Sequence, residues 1–437
     1  HAQQVEDRAE QQFIAAAGSA HAAVHTLQIR EAVYIGIRAN SQMCLGGTEC
    51  KQNAQGGAVS SLKIAHARVS IVGHVSADCA EVTLALKQGA GIFNTTAAGL
   101  HGHIHASGSH CAADSAANGI PGAGYTAGEL IRLLLNHPDV DLKWVHSTSN
   151  AGNPVAAVHQ GLVGDTNLVF TSTTAFADVD VIFFCTPHGE SRKFMEAHAA
   201  EIPEEMRIVD LSQDFRINDG SHDFIYGLPE LNRKYIIRGK HVANPGCFAT
   251  AIQLALLPLA RNLLLNSDVH VHAITGSTGA GVKPSPSSHF SWRNDNVSIY
   301  KPFKHQHLAE IRQTLTSMQT SFSSKIEFIP VRGCFSRGIF ASAYLDCPVA
   351  LDEIVKLYED YYDDHNFTYV INRMPDLKDV VNTNKCLLYL TKEDGKLLIV
   401  SVIDNLLKGA SGQAVHNMNL LFGLHERTGL NLKASAF

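Results

Sequence analysis

The chain has 437 residues, of which 45% are hydrophobic and 17% charged, a composition typical of a folded enzyme with two or three domains. The net charge of -6 argues against binding to nucleic acid, because contact with phosphates requires a basic surface. No apolar run reaches the roughly 18 residues of a membrane span, so we expect no membrane association. Nine cysteines without CxxC pairs indicate reduced thiols and a cytoplasmic protein.

Residues 1–118 differ from the rest of the chain, because they are rich in Ala, Gly and His and all 14 prolines lie from Pro121 onward. Potential metal ligands lie close together here: His101, His103, His105, His110 and Cys111. We favour a linker over a metal site, because such a site needs three or four of these groups to converge on one ion. Gly73-His74 and residues 85–94 faintly resemble amidohydrolase-type deacetylases. A fusion remnant, a mis-joined reading frame and a real extra domain remain open, and we treat the segment as an atypical extension of unknown role.

A glycine-rich turn at residues 119–128 leads into an amphipathic helix that ends near Asn136. Glycines allow the backbone to approach a pyrophosphate, and the N-terminus of the next helix offers free N–H groups. The candidate cofactor-binding residues of this turn are Gly122, Gly124, Tyr125 and Thr126. A hydrophobic strand should precede such a turn, but residues 111–118 read CAADSAAN. Either the first strand is missing or an upstream run such as Val69 to Val72 replaces it.

The next strand is predicted at residues 141–146, and Ser147-Thr148-Ser149-Asn150 follows it. A dinucleotide-binding fold usually carries Asp or Glu at this point to bind the ribose 2′-hydroxyl. Hydroxyl groups would not repel a 2′-phosphate, so Ser147 and Ser149 favour NADP over NAD. Runs of β-branched and aromatic residues predict two further buried parallel strands, at residues 179–185 and 206–211.

Cys247 lies in the turn Asn244-Pro245-Gly246-Cys247, ahead of an apolar helix predicted at residues 249–265. A thiolate at a helix N-terminus is stabilised by the helix dipole and free N–H groups, so we expect a lowered pKa. These features favour a nucleophile over a buried, inert cysteine.

His305 and His307 open another predicted helix, and an imidazole there would take the thiol proton and later donate it. A metal pair is the alternative, but no third ligand of matching spacing stands near. Residues 275–281 form a second glycine-rich turn after a strand. Its backbone N–H groups suit a substrate phosphate or a nicotinamide, although a plain flexible turn explains the spacing equally well.

Seven motifs occur in order along residues 119–437, and together they resemble N-acetyl-gamma-glutamyl-phosphate reductase of arginine biosynthesis. They are GAGYTAG at 122–128, DLSQDFR at 210–216, YGLPE at 226–230, NPGC at 244–247, GSTGAG at 276–281, HQH at 305–307 and NLLKGASGQA at 405–414. The resemblance implies NADPH-dependent reductive dephosphorylation of an acyl phosphate to N-acetylglutamate 5-semialdehyde. It also implies that Cys247 forms a thioester and that His305 serves as acid and base.

The resemblance and the residue types together assign further site residues. Those expected at the cofactor are Pro187, Gly279 and Asn405, and those expected at the substrate are Asn244, Arg216, Ser277, His307 and Arg337. The guanidinium groups of Arg216 and Arg337 match a substrate carboxylate or phosphate, but each could instead form a structural salt bridge.

The expected fold is α/β plus α+β. Residues 119–245 and 412–437 would form a Rossmann-type NADP(H)-binding domain, and residues 246–411 a catalytic domain like that of glyceraldehyde-3-phosphate dehydrogenase. The catalytic domain should hold a largely antiparallel sheet covered on one face, leaving the open face for a homo-oligomer. The rival interpretations are another acyl-phosphate reductase, such as aspartate-semialdehyde dehydrogenase, and an inactive or mis-assembled chain with a metal-hydrolase-like N-terminal piece.

Overall fold

The computed structural model describes residues 104–106, for their backbone, and residues 124–435. Gly122, the run Val69 to Val72 and the potential metal ligands at 101, 103, 110 and 111 lie outside this range. The α-helices of the described residues are α1 (Tyr125–Leu135), α2 (Val155–Val158), α3 (Glu190–Ala197), α4 (Pro229–Ile236), α5 (Cys247–Arg261), α6 (Phe290–Arg293), α7 (His307–Met318), α8 (Leu351–Tyr362) and α9 (Ser411–Leu421).

The first half of the described chain forms a six-stranded parallel sheet in the order β2-β1-β5-β6-β8-β7. Its strands are β1 (Ile104–Ala106), β2 (Val140–Leu142), β5 (Val181–Phe184), β6 (Arg207–Asp210), β7 (Ile225–Tyr226) and β8 (His241–Ala243). All four residues of β5 are buried, because parallel sheets are covered on both faces. The predicted Rossmann-type architecture is confirmed.

Ile104–Ala106 occupy the place of the first strand. Ile104 pairs with Val140 on one side, and Ala106 pairs with Val181 on the other. A strand between β2 and β5 is therefore present, and it comes from the segment interpreted above as a linker.

The single strand predicted at residues 141–146 is wrong, because the structure divides it in two. β2 joins the large sheet, whereas β3 (Val145–His146) pairs with β4 (Phe170–Thr171) in a separate two-stranded sheet. Residues 143–144 between them are not in strand conformation.

The second half forms a seven-stranded mixed sheet in the order β10-β11-β9-β12-β15-β14-β13. Its strands are β9 (Val269–Thr275), β10 (Ser298–Ile299), β11 (Ile326–Arg332), β12 (Ile339–Asp346), β13 (Thr368–Val370), β14 (Cys386–Glu393) and β15 (Lys396–Ile403). Antiparallel pairs dominate, with parallel pairing between β11 and β9 and between β13 and β14. Alternate residues of β9 and β12 are buried in the core with α5, and those between them are partly or fully exposed. One face is therefore covered, as predicted. The other face is partly or fully exposed along β9 and β12, but Val400 and Val402 of β15 are buried there with Val380.

The chain returns to the parallel sheet at its end, where α9 packs on α1, α4 and β6. α9 is buried along its whole length, and its apolar side chains share a core with α1 and β5. In the part of the chain that the structure describes, no helix has the length and apolar character needed to cross a bilayer.

Candidate active site

Cys247 is the first residue of α5, directly after the turn that leaves the carboxyl end of β8. The helix thus begins two residues earlier than predicted. Gly246 is the N-cap in an extended conformation, with φ −68° and ψ 148°. The backbone N–H groups of Cys247 and Phe248 both interact with the sulfur and favour the thiolate. Ligands of open α/β sheets bind at this edge, so the half-buried thiol stands where a substrate would be expected.

Burial raises the pKa of the Cys247 thiol to about 11 and outweighs the lowering effects of Arg216 and of the two N–H groups. The expected fall in pKa is therefore wrong for the ligand-free protein. The N–H groups at the helix N-terminus do lower the pKa of Cys247, as predicted. Removing the thiolate from water raises this pKa by a larger amount.

Alkylation of Cys247 should reflect this raised pKa. Because the thiolate is the reactive form, the rate of iodoacetamide modification in ligand-free protein should rise about tenfold per pH unit between pH 7 and 10. Mass spectrometry of the peptide that contains Cys247 measures the rate. If the rate instead levels off before the pH reaches about 9, the pKa of the thiol is not raised, and the effect of burial is contradicted.

A buried carboxylate, Glu310 of α7, fixes the turn before the thiol. Its oxygens accept hydrogen bonds from the Gly246 N–H at 3.0 Å, the Tyr226 hydroxyl at 2.9 Å and Nη1 of Arg216 at 3.0 Å. Sequence reasoning missed Glu310. Its position three residues after His307, on the buried face of α7, was the available signal.

Arg216 and Asn244 use their polar groups inside the protein. Arg216 also donates from Nε to the Asn244 carbonyl at 2.9 Å and from Nη2 to the Leu211 carbonyl at 2.8 Å. The Asn244 side chain donates to the Ala410 carbonyl at 3.0 Å and accepts from Asn417 at 3.0 Å. Both residues lie beside Cys247, but this geometry makes them supports of the turn rather than free substrate ligands.

His305 is buried immediately before α7 and makes an edge-on contact with Phe248, with ring centroids 5.4 Å apart. Its Nδ1 accepts a hydrogen bond from the backbone N–H of His307 at 3.2 Å, so Nε2 carries the proton. Burial, reinforced by the charge of Lys301, lowers the pKa of His305 to about 4. The hydrogen bond from His307 uses Nδ1 and not Nε2, so the neutral imidazole is suited to donate its Nε2–H to an oxyanion.

His307 packs against Gly246 so closely that no Cβ fits at position 246. Burial holds the pKa of His307 well below its ordinary value, and Nδ1 has no hydrogen-bond partner among the described residues. The structure therefore places His305 and His307 against Phe248, and His307 also against Gly246, the two neighbours of Cys247 in the sequence.

The turn after β9 lies next to Arg332, a residue that sequence reasoning missed. Nη1 of Arg332 donates to the Ser277 carbonyl at 3.3 Å and lies near Gly279, and the guanidinium stands 4.7 Å above the ring of Tyr300. Tyr300 in turn contacts His305 with ring centroids 5.8 Å apart. Arg332 is only partly buried, so it is a better candidate than Arg216 for meeting a substrate anion.

Arg337 has two protein carboxylates as partners. It forms ion pairs with Glu129 of α1 at 3.0 Å and with Asp404 at 3.1 Å. Asn405 is also occupied, because its side chain accepts from the Gly338 N–H at 2.7 Å and donates to the Thr278 hydroxyl at 3.1 Å. These contacts join the segment after β15 to both halves of the protein.

Lys408 and Gly409 continue this segment toward the nucleophile. The Lys408 ammonium is fully buried and donates to Glu230 at 2.7 Å. Gly409 lies against the Cβ atom of Cys247, where no side chain could be placed. The segment therefore forms one wall beside the thiol.

Further along the same carboxyl edge of the parallel sheet, the start of α1 suits a dinucleotide. Gly124 is the N-cap of α1 and provides no side-chain cap, so no side chain of residues 124–435 caps the helix beside exposed Tyr125 and half-buried Thr126. After β3, the hydroxyls of Ser147 and Ser149 lie 3.4 Å apart, and the amide of Asn150 donates to both at 3.3 Å. Hydroxyl donors and an uncapped helix N-terminus fit a 2′-phosphate and a pyrophosphate respectively.

Pro187 is exposed after β5, directly before His188. The charges of Arg216, Glu310 and Lys301 all act on the pKa of His188, which burial lowers. The loop after β5 therefore reaches the surroundings of Cys247. Within residues 124–435, no group of three or more His, Cys, Asp or Glu side chains could hold a metal ion.

Comparison with known proteins agrees with this geometry. A family model described as the NAD binding domain of semialdehyde dehydrogenase matches residues 119–238, and one described as its dimerisation domain matches residues 247–405. Solved structures show the same fold: aspartate semialdehyde dehydrogenase II of Vibrio cholerae (TM-score 0.55, 14% identity, 73% of this chain and 98% of that chain) and the Candida albicans enzyme with NADP (TM-score 0.54, 13% identity, with the same coverage).

The curated relatives are much closer in sequence. N-acetyl-gamma-glutamyl-phosphate reductases of Parabacteroides distasonis and Phocaeicola vulgatus are 67% and 63% identical over 318 residues, which span 73% of this chain and 98% of each relative. The aspartate-specific alternative is not favoured, since its representatives share only the fold. The chain therefore belongs to the N-acetyl-gamma-glutamyl-phosphate reductase family.

Proposed function

We propose that this chain catalyses the NADPH-dependent reduction of N-acetyl-gamma-glutamyl phosphate to N-acetylglutamate 5-semialdehyde and inorganic phosphate, a step of arginine biosynthesis. The observation that carries this function is the Cys247 thiol at the start of α5, with neutral His305 beside Phe248. A covalent thioester divides one difficult reduction into two easier steps.

The first step is acyl transfer to sulfur. The Cys247 thiolate attacks the acyl carbon, the bond from that carbon to the phosphate oxygen breaks, and phosphate leaves with the electron pair. The thiol proton passes to a base, a role that we assign to the His305 imidazole. To accept the proton at Nε2, the ring must take the tautomer that is protonated on Nδ1, which releases the contact with the His307 N–H. The raised pKa of Cys247 means that proton removal must accompany substrate binding.

The second step reduces the thioester. NADPH, when bound, supplies the hydride. As negative charge develops on the acyl oxygen, a donor at His305 Nε2 would stabilise it, and the backbone N–H groups at the start of α5 would stabilise the departing sulfur. Breaking the carbon–sulfur bond then releases the aldehyde and restores the Cys247 thiolate.

An assay with two acyl phosphates tests the substrate assignment. The enzyme should oxidise NADPH with N-acetyl-gamma-glutamyl phosphate at a kcat/KM at least about 10³-fold above that for aspartyl phosphate, which lacks one methylene and the acetyl group. Equal rates with both substrates would contradict the assignment.

We infer that the hydroxyls after β3 admit the 2′-phosphate of NADPH. Ser149→Asp places a carboxylate on an exposed residue of this cluster, and repulsion should raise the KM for NADPH by about tenfold or more. The matched control is NADH, which lacks the 2′-phosphate and should show a much smaller change with the same variant. An equal change for both cofactors would contradict this placement.

We also infer a homo-oligomer that pairs the open face of the seven-stranded sheet with a second copy. Its support is the match of residues 247–405 to a dimerisation domain and a stacked pair on that face, Tyr344 and His270, with ring centroids 4.9 Å apart. Tyr344, 43% exposed, lies on β12, the middle strand of the seven. Tyr344→Glu should lower the molar mass measured by light scattering, whereas Tyr235→Glu, at a tyrosine of α4 that is 55% exposed, should not.

Two further assignments concern the domain bounds and the cellular location. We infer that residues 119–245 with 412–437 bind the cofactor and that residues 246–411 form the catalytic domain, supported by the packing of α9 on α1 and α4. A cytoplasmic location is consistent with the reduced thiols of Cys247, Cys334, Cys347 and Cys386.

A further inference from the structure

The imidazole of His305 is enclosed by aromatic side chains. It makes edge-on contacts with Phe248, Phe328 and Tyr300, with ring centroids 5.4, 5.5 and 5.8 Å apart and interplanar angles of 82°, 68° and 70°. Near-perpendicular ring pairs at such separations attract each other, because the positive edge of one ring meets the negative face of the other. Three rings therefore hold the imidazole, and they come from α5, from β11 and from the residue directly after β10.

Tyr300 differs from the other two rings in its exposure. Phe248 and Phe328 are 2% and 0% exposed, whereas Tyr300 is only partly buried. Tyr300 is therefore the ring that separates the imidazole of His305 from solvent. A smaller side chain at this position would open the imidazole to water, whereas truncation of either phenylalanine would leave a cavity in the core.

The Tyr300 ring is itself fixed in place. Its backbone N–H donates to the Pro330 carbonyl at 3.1 Å, and the preceding Ile299 pairs with Val331 of β11. The guanidinium of Arg332 stands 4.7 Å above the centre of the ring, and a cation over an aromatic face attracts it. The edge of the seven-stranded sheet thus places the ring beside His305 in the ligand-free protein.

These ring contacts matter most for the tautomer change that the proposed mechanism requires. The imidazole of His305 also accepts a hydrogen bond at Nδ1 from the His307 N–H at 3.2 Å. When Nε2 takes the thiol proton, Nδ1 must carry a proton as well, and this hydrogen bond is lost. The ring contacts do not depend on which nitrogen is protonated. They can therefore keep the orientation of the imidazole through the change.

We propose that Tyr300 is a positioning residue that holds His305 in its working orientation and keeps water away from it. This inference rests on the proposed function, because that function makes His305 the acid and base. The ring of Tyr300 makes the contact with His305, so the ring and not the hydroxyl carries the role. Phenylalanine should therefore replace Tyr300, and leucine should not.

The first test is the reduction of N-acetyl-gamma-glutamyl phosphate by the purified full chain. Tyr300→Leu should lower kcat by about tenfold or more, with the KM for NADPH within about twofold of the wild-type value. Tyr300→Phe keeps the ring and should recover kcat to within about threefold. Trp292→Leu is the matched control, since Trp292 is a 58% exposed aromatic residue of the same segment, and it should leave kcat unchanged.

The second test measures the hydration of His305 without relying on activity. Burial lowers the pKa of His305 to about 4, and entry of water in Tyr300→Leu should raise this pKa toward its ordinary 6.5, whereas Tyr300→Phe should not. The charged groups that act on His305 stay in place in both variants, and they are Lys301 in its own turn, Glu310 on α7 and Arg332 on β11. Diethyl pyrocarbonate reacts with neutral imidazole, and mass spectrometry of the modified peptide between about pH 4 and 8 gives the pKa.

Three results would overturn the proposal. They are a wild-type kcat in Tyr300→Leu, a loss in Tyr300→Phe as large as that in Tyr300→Leu, and an unchanged pKa of His305 in Tyr300→Leu. Wild-type protein that does not reduce the acyl phosphate would instead overturn the proposed function. The modification experiment would still report the contact between Tyr300 and His305 in that case, so the two failures are distinguishable.

Discussion

Replacing Cys247 with serine is expected to abolish phosphate-dependent turnover, with a loss of about 10⁴-fold or more, while NADPH binding stays intact. A serine hydroxyl does not ionise near neutral pH and forms an ester, which accepts hydride less readily than a thioester. The cofactor groups at α1 and β3 lie on other elements and do not depend on the sulfur. Steady-state rates and a fluorescence titration with NADPH measure the two effects.

Cys334→Ser is the control for this experiment. Cys334 is an exposed free thiol, and its replacement should leave turnover and NADPH affinity unchanged. Full activity in Cys247→Ser would contradict the covalent mechanism. A parallel loss of NADPH binding would show that the substitution disturbs the fold around the turn rather than the chemistry alone.

The largest expected effect on stability comes from the buried ion pair of Lys408 and Glu230, whose side chains are 0% and 1% exposed. Lys408→Met leaves the Glu230 carboxylate buried without its charge partner, and the free energy of unfolding should fall by about 3 to 5 kcal/mol. The Thr368 hydroxyl still donates to this carboxylate but carries no charge. Urea unfolding followed by circular dichroism measures the change.

Two further variants test whether the loss of stability comes from breaking this buried ion pair or from removing any lysine. Lys408→Met combined with Glu230→Leu removes both charges and should recover most of the loss, because no unpaired charge is left buried. Lys356→Met breaks an exposed pair with Asp360 on α8 and should change stability little. A double variant no more stable than Lys408→Met would contradict the account.

The same pair predicts a pH dependence. Although burial alone would raise it, Lys408 and nearby histidines lower the pKa of Glu230 from its ordinary 4.5 to about 2. A carboxyl with a lowered pKa stabilises the folded state fully above its unfolded value, and this contribution is lost as the pH falls from about 4.5 to about 2. Wild-type protein should therefore lose stability over this window more steeply than the double variant.

Local pattern was enough to predict much of the fold. The four-residue buried run of β5 and the alternating residues of β9 and β12 follow directly from the periodicity of parallel and half-covered strands. The position of Cys247 at a helix start was also predictable, from an Asn-Pro-Gly turn followed by apolar residues.

The support of the site was not predictable, because it depends on partners far apart in the sequence. Arg216 meets Glu310 across 94 positions, and Arg337 meets Glu129 across 208. Nothing in the spacing of a lone arginine distinguishes a protein carboxylate from a substrate anion. The pKa of Cys247 was wrong for a related reason: desolvation is set by the surrounding packing, which no local motif shows.

The close packing of His307 against Gly246 links two motifs that are separate in the sequence. Any side chain at position 246 would occupy the space that the imidazole fills, and the imidazole belongs to the first turn of another helix. The two positions therefore form one steric unit. A redesign that enlarges residue 246 must shrink residue 307 in the same step, and a variant library that samples the two independently should yield folded protein only in matched combinations.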